Sequence, residues 1–247
     1  MSTVQNPSRA PALAGAPTGR NLLLAALPTA DQAALRPHLE RVTLATGDVL
    51  AATGEPFSHV YFPETCVISL IKRMTTGGAV EAGTIGHEGF AGISVLLDAS
   101  ASATETIVQI AGTSLRLPAL ALAEAADARP ELRRRLHRYV YAYLAQVSQT
   151  AACNRLHTLE ERCARWLLMT HDRVDKAESF ALTHEFLAIM LGVRRAGVTV
   201  AAGALQAAGL ISYRRGHIHV LDREGLEAAA CECYAEVRWH FERLAVE

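Results

Sequence analysis

Apolar residues change their rhythm along this chain, and the change divides it. "NLLLAALPTADQAALRPHLERV", which opens at Asn21, predicts one or two short helices, with Thr29 placed to cap the second ahead of Asp31 and Gln32. From Val42 to about Leu117 the apolar residues fall in short runs: "HVYFPE", "CVISLIKRM", "AVEAGTI" and "TETIVQIAGTSLRLP". Glycines at 47, 54, 77, 78, 83, 86, 89, 92 and 112 punctuate them. Short strands between regular turn signals predict a β-sandwich or barrel, with "TTGGAV" as a hairpin turn in which Gly77 and Gly78 take positive φ.

From Leu120 onward the period becomes helical. After Pro130, Leu132, Leu136, Tyr139 or Val140, Tyr143, Val147 and Thr150 recur at steps of three and four, a coiled-coil-like seam. Arg133, Arg134, Arg135 and Arg138 stand near its start, and the stripe suits either packing on the helix's own domain or pairing with a second copy of the chain. "HTLEERCARWLLMTHDRV" follows, with Thr158 and Glu161 as a capping box and Leu159, Cys163, Trp166, Leu167 and Thr170 on one face. "DRVDKAES" reads as a polar loop.

Two short helices with a tight turn come next. Thr183 caps the first, in which Phe186, Leu187, Met190 and Leu191 are apolar. Gly192 sits where a left-handed residue is needed, and Val193 fills the angle. The second helix runs from about Arg194 to Ala208, with Val198, Ala201, Ala202 and Leu205 facing the core. This is helix-turn-helix spacing. Arg194 and Arg195 oppose the helix dipole unless an anion arrives, and the short side chains behind them let a helix seat in a groove about 12 Å wide. "LISYRRGHIHVL" then predicts a β-hairpin with Arg214, Arg215 and His217 around Gly216, a wing whose tip suits phosphate contact. A final helix starts near Arg223.

Composition sharpens this picture only locally. The 247 residues suffice for two domains or one large one, and half of them are apolar. A net charge of −1 excludes a globally basic nucleic-acid binder but not a basic patch. Between Thr183 and Arg223, five arginines (Arg194, Arg195, Arg214, Arg215, Arg223) stand against Glu185 and Asp222. No run of 18 apolar residues predicts a membrane span, so no membrane partner is expected. Residues 1–20, rich in Pro, Ala and Ser, read as a disordered tail rather than a signal peptide. Five scattered cysteines (Cys66, Cys153, Cys163, Cys231, Cys233) do not form a disulfide framework and suggest a reducing cytoplasm.

The order of parts resembles the Crp/Fnr family of bacterial transcription regulators over roughly residues 21–222. "LTHEFLAIMLGVRRAGVTVAAGALQAAGLISYRRGHIHVLD" carries the resemblance, and "CNRLHTLEERCARWLL" is similar to the helix before that motif. The implied fold is α+β: an N-terminal β-roll of jelly-roll type, a long dimerisation helix and a C-terminal winged helix-turn-helix. Domains are then expected at 21–130 (a cyclic-nucleotide-binding-like sensor), 131–156 (the dimerisation helix) and 157–247 (the DNA-binding domain with its terminal helix). The implied partners are double-stranded DNA, a second copy through residues 131–156, an unidentified small-molecule effector and RNA polymerase. The rival from another class is a ligand-binding module acting on a protein partner, which leaves the paired arginines unexplained.

Arg195 matches the arginine that begins the family's recognition helix, whereas Ala196 and Val200 stand where acidic and basic residues are usual. Thr183, Arg194, Arg195, Thr199, Arg214, Arg215 and His217 are the expected DNA contacts. "GTIGHEGFAGISVLLDASASATETIVQIAG" aligns with the phosphate cassette of cyclic-nucleotide domains, but Gly92 is followed by Ile93 rather than Glu, and Ser102, Ala103 and Thr104 stand where an arginine would be. A buried anion without a cation is costly, so weak or absent cyclic AMP binding is expected. Gly89, Phe90, Gly92, Ser102 and Thr104 are the candidate effector pocket. No cysteine precedes Cys66, against the family's N-terminal iron–sulfur arrangement. Residues 42–117 hold only His59 and His87, against a metal-dependent cupin enzyme. Neither His87–Glu88 nor His217/His219 has metal-site spacing, and Cys231 and Cys233, two apart on an expected helix, read as reduced thiols. No cofactor, metal or catalytic residue is expected.

Overall fold

The computed structural model describes residues 19–174 and 179–245. The expected tail at 1–20 lies outside the described residues except for Gly19 and Arg20, as does the middle of the expected polar loop, 175–178. No single described helix is long and apolar enough to cross a membrane.

Two short helices begin the chain, α1 (Leu22–Ala25) and α2 (Thr29–Leu35). Asn21, fully buried, caps α1 by accepting from Leu24 N–H at 3.1 Å, while its Nδ2 donates to the carbonyls of Pro63 and Gly89. Thr29 is not the cap expected of it: Pro28 occupies that position, without a side-chain bond, and Thr29 is the first helical residue.

Seven strands follow: β1 (Glu40–Leu44), β2 (Val49–Ala51), β3 (His59–Pro63), β4 (Val67–Arg73), β5 (Ala79–Ile85), β6 (Glu105–Ile110) and β7 (Gly112–Pro118), with the short α3 (Ile93–Leu96) between β5 and β6. They form a three-stranded sheet, β1-β7-β3, and a four-stranded sheet, β2-β6-β4-β5. The run read as one β segment, "TETIVQIAGTSLRLP", breaks at Ala111 into β6 and β7, which belong to different sheets. In the β1–β7 register Glu40 faces Arg116, and the two form an ion pair at 2.9 Å. In the β4–β5 turn only Gly77 takes positive φ (91°); Gly78 does not.

Helices dominate the rest: α4 (Ala119–Ala128), α5 (Pro130–Leu156), α6 (Leu159–Arg173), α7 (His184–Leu191), α8 (Arg195–Ala207), α9 (Arg223–Ala229) and α10 (Cys233–Glu242), with β8 (Ser179–Ala181), β9 (Ile211–Arg214) and β10 (His217–Val220) forming a third sheet, β8-β10-β9. The α+β fold and its order of parts are those expected. Two details differ. β8, which starts at the last residue of the expected polar loop, extends the wing by pairing with β10 (Phe180 opposite Ile218). The single helix expected from Arg223 breaks between α9 and α10.

The chain gathers into two compact units. One holds the chain up to Leu70, Thr84–Leu144 and the end from Phe241; the other holds Ile71–Gly83 and Ala145–His240. The expected consecutive domains are therefore interleaved: the outer part of the β4–β5 hairpin belongs with the C-terminal helices. In the first unit the core is apolar side chains of both sheets, with Phe90 stacked on Phe62 at a centroid distance of 5.5 Å and tilted against Tyr139 at 5.1 Å. Four of the seam residues on α5, Leu132, Leu136, Tyr139 and Tyr143, are buried inside the chain. The exposed stripe of α5 is a neighbouring one: Tyr141 (66 % exposed), Leu144 (59 %), Ser148 and Ala151. In the second unit α6 is buried along its whole length from Cys163 to Thr170, not on one face alone.

Candidate nucleic-acid interface

Helix α7 starts with Thr183, whose Oγ1 accepts from Phe186 N–H at 3.1 Å, and ends at Gly192 with φ 65°. A Cβ on Gly192 would lie 2.9 Å from Val80 Cγ2, so both backbone and packing select glycine. The chain then turns by 102° into α8, the range of a helix-turn-helix. Val198, Ala201, Ala202 and Leu205 bury one side of α8; Arg195, Ala196, Thr199, Val200, Gly203 and Ala204 form its exposed side. Val200 is 68 % exposed.

The start of α8 differs from those of its neighbours. Helix α6 has a full capping box from Thr158 and Glu161, with Glu160 also in its first turn; α7 has Thr183 and Glu185; α9 has Asp222 and Glu224. Helix α8 has Arg194 at its cap position with no side-chain bond, Arg195 next and no acid in the first turn. Free N–H groups and the positive end of the dipole are thus paired with two exposed cations, an arrangement that favours an arriving anion.

The wing has similar chemistry. Arg214 pairs with His217 across β9 and β10, leaving Arg215 and Gly216 as a two-residue turn with φ of 49° and 79°. Both values are positive, as in a type I′ turn, and Arg215 holds a conformation that glycine or asparagine adopts more readily. Arg214, Arg215 and His217 are all exposed.

One junction was not legible beforehand. His184 stacks on Tyr213 at 4.3 Å and 19°, and its Nδ1 lies 3.2 Å from Thr199 Oγ1. It ties the start of α7 to α8 and to the wing. Burial, and then the charge of Arg195, lower its pKa from the ordinary 6.5. Thr199 is thus part of a local network, since its hydroxyl also donates to the Arg195 carbonyl at 3.1 Å.

Arg223, counted above among the local cations, is committed elsewhere: it pairs with Asp172 at 2.7 Å and with Glu227 at 2.8 Å. The exposed cations of the patch are therefore Arg194, Arg195, Arg214 and Arg215.

The five residues expected to line an effector pocket have packing or backbone roles. A Cβ on Gly89 would overlap the Tyr139 ring, at 1.8 Å from Cε2, so Gly89 is the floor on which that ring rests. Phe90 is fully buried between Phe62 and Tyr139. Gly92 precedes α3 with φ 112°. Ser102 Oγ donates to the Thr104 carbonyl at 2.7 Å, and Ser102 N–H to that of Glu55. Cys231 and Cys233 also depart from expectation: one precedes α10 and the other opens it, and both meet Cys153 and His157.

Residues 161–229 match the model of the Crp-like helix-turn-helix domain. Solved structures extend the likeness of fold beyond that domain. FixK2 from Bradyrhizobium japonicum superimposes with a TM-score of 0.68 at 17 % identity, over 78 % of this chain and 98 % of its own. A Crp/Fnr-family transcriptional regulator from Thermus thermophilus gives 0.64 at 24 % identity, over 77 % and 98 %. A putative Crp/Fnr-family regulator from Eubacterium rectale gives 0.63 at 17 %, over 84 % and 96 %. Comparison with curated proteins gives no match.

Proposed function

From a chain that carries a Crp-like helix-turn-helix domain on the Crp/Fnr fold, we propose a cytoplasmic transcription regulator that binds two-fold symmetric duplex DNA as a homodimer and does not respond to cyclic AMP. The observation that carries the reading is the start of α8, the one helix of its neighbourhood left cationic and without a side-chain cap. Its exposed Ala196, Thr199, Val200 and Gly203 are short enough to admit the helix to a major groove, where Arg195 reaches a base edge or a phosphate. Arg194 supports it, and Thr183, Arg214, Arg215 and His217 hold the flanking backbone.

The second copy docks on the exposed stripe of α5, where Tyr141, Leu144 and Ala151 recur at coiled-coil steps. Loss of cyclic AMP response follows from the segment after α3, where no cation occurs between Asp98 and Thr104 and the Ser102 hydroxyl is already engaged. An effector of other chemistry and RNA polymerase complete the proposed partners. A module acting only on a protein leaves the four exposed arginines without a role.

Selection of bound sites from a random duplex pool tests the reading, with purified chain, no added ligand and two salt concentrations. A palindromic motif is expected, with affinity falling steeply as salt rises. Retention of every sequence alike would sink the sequence-specific reading. If nothing is retained, repeating the selection with cell extract decides between a missing effector and no DNA binding.

A further inference from the structure

Cys153, His157, Cys231 and Cys233 converge from two places in the second unit. Their ligand atoms all lie within 4.8 Å of one another. Cys153 lies in the last turn of α5 and His157 just past its end, close because the His157 N–H still donates to the Cys153 carbonyl at 3.1 Å. Cys231 and Cys233 flank the turn that opens α10. The Cys153 and Cys231 sulfurs are 3.5 Å apart, and the Cys233 sulfur is 3.5 Å from His157 Nδ1. A tetrahedral zinc ion, with Zn–S of about 2.3 Å and Zn–N of about 2.0 Å, sets sulfur–sulfur separations of roughly 3.7 Å and sulfur–nitrogen separations of roughly 3.5 Å. A disulfide needs about 2.0 Å, well short of the 3.5 Å between the Cys153 and Cys231 sulfurs.

The surroundings fit an ion as well. All three cysteines are buried. His157 Nε2 lies 3.2 Å from Glu232 Oε2, the outer carboxylate that orients a metal-bound imidazole and leaves Nδ1 for the ion. Gln149 Nε2 donates to the Cys233 sulfur at 3.0 Å. Arg165, itself buried, acts electrostatically on Cys153, and its Nε has no hydrogen-bond partner among the described residues. Arg162 is electrostatically coupled to Cys153 and Cys231. Three thiolates, a neutral imidazole and a dication leave one negative charge, which these guanidiniums balance.

We propose that Cys153, His157, Cys231 and Cys233 form a Cys3His site for a single zinc ion, which ties the end of α5 to the α9–α10 connection within the DNA-binding unit. On binding, three S–H bonds give way to three S–Zn bonds, the protons pass to solvent, and nothing is oxidised or reduced. The loop so closed spans 78 residues, and removal of the ion by a chelator would free it.

Cobalt, added to the reduced, metal-free full chain, is the probe. One Co2+ per chain is expected, with thiolate-to-cobalt charge-transfer bands and the intense visible bands of tetrahedral cobalt, displaced by zinc. Cys231→Ser should lose the charge-transfer intensity in part and bind at least tenfold more weakly, whereas Cys66→Ser should match the parent. His157→Cys, which keeps a ligand, should bind with shifted bands and guards against loss of fold as the explanation. Absence of thiolate bands in the parent, or an unchanged spectrum in Cys231→Ser, would overturn the proposal.

Discussion

The imidazole of His184 lies flat on the ring of Tyr213 at 4.3 Å, so the first residue of α7 and the third of β9 form one surface. Both helices of the DNA-reading motif and the wing meet there, because Thr199 reaches the same imidazole. Tyr213→Ala is expected to cost about 1 kcal/mol beyond the lost apolar area, and Tyr213→Phe almost nothing. Urea unfolding of the two variants beside the parent chain checks this, and equal stabilities would mean that the stack contributes nothing.

The same histidine predicts a pH dependence. Burial and Arg195 lower its pKa, so the unfolded chain takes up a proton that the folded chain resists. Stability then falls as pH drops from the ordinary value of 6.5 through the lowered folded value, and the contribution is level above that window. His184→Gln should flatten this part of the profile. A profile with the same slope in the variant assigns the effect to other groups.

Arg195 and the wing arginines should separate by kind of readout. Arg195→Ala is expected to cost about 1–3 kcal/mol at one base position if it reads a base edge. Arg214→Ala should weaken all sequences alike and reduce the salt slope by about 0.9. Binding titrations on the selected site and its single-base variants, across a salt series, measure both. Uniform weakening by Arg195→Ala would make it a phosphate contact.

Arg215 offers two effects of opposite sign. Its φ of 49° is unfavourable for a residue that carries a Cβ, so Arg215→Gly should stabilise the chain by about 1 kcal/mol while weakening DNA binding. Thermal unfolding and a binding titration on one preparation test the pair. A variant that loses stability would show that the turn geometry is held by the arginine's own contacts.

Leu144 tests the proposed dimer. An exposed leucine at 59 % has little to lose within its own chain, so Leu144→Glu should leave the far-ultraviolet spectrum intact while driving sedimentation to the monomer. A variant that remains dimeric places the interface off this stripe.

Backbone punctuation was the legible part of the sequence. The helix-turn-helix, its Gly192 hinge, the capping box of Thr158 and Glu161 and the basic hairpin were all readable, because each depends on residues within a few positions of one another. What depended on tertiary neighbours was not. Leu132, Leu136 and Tyr139 have the spacing of a partner-facing seam, yet they are buried within their own chain, and periodicity alone does not say which body covers a stripe. Gly89 resembled a ligand-cradling glycine, but the Tyr139 ring sits where its side chain would be. Arg223 counted as a free cation until Asp172, 51 residues upstream, claimed it. Cys153 and Cys231 carry no local sign of each other, since their meeting is made by α5 and the α9–α10 turn together.

The indole N–H of Trp166 is buried and donates to Glu81 Oε1 at 2.9 Å, a carboxylate 85 residues earlier in the chain. Ile71–Gly83 folds with Ala145–His240 rather than with the segments that adjoin it. On the ribosome, that hairpin end emerges before the helices that receive it, and must wait while β6, β7, α4 and the first half of α5 are made. A gene fragment beginning at Ala145 would encode every DNA contact named above, yet its product would bury Trp166 with no acceptor. The reading head of this protein is therefore not a detachable cassette, and any exchange of it between regulators has to carry a piece of the other half along.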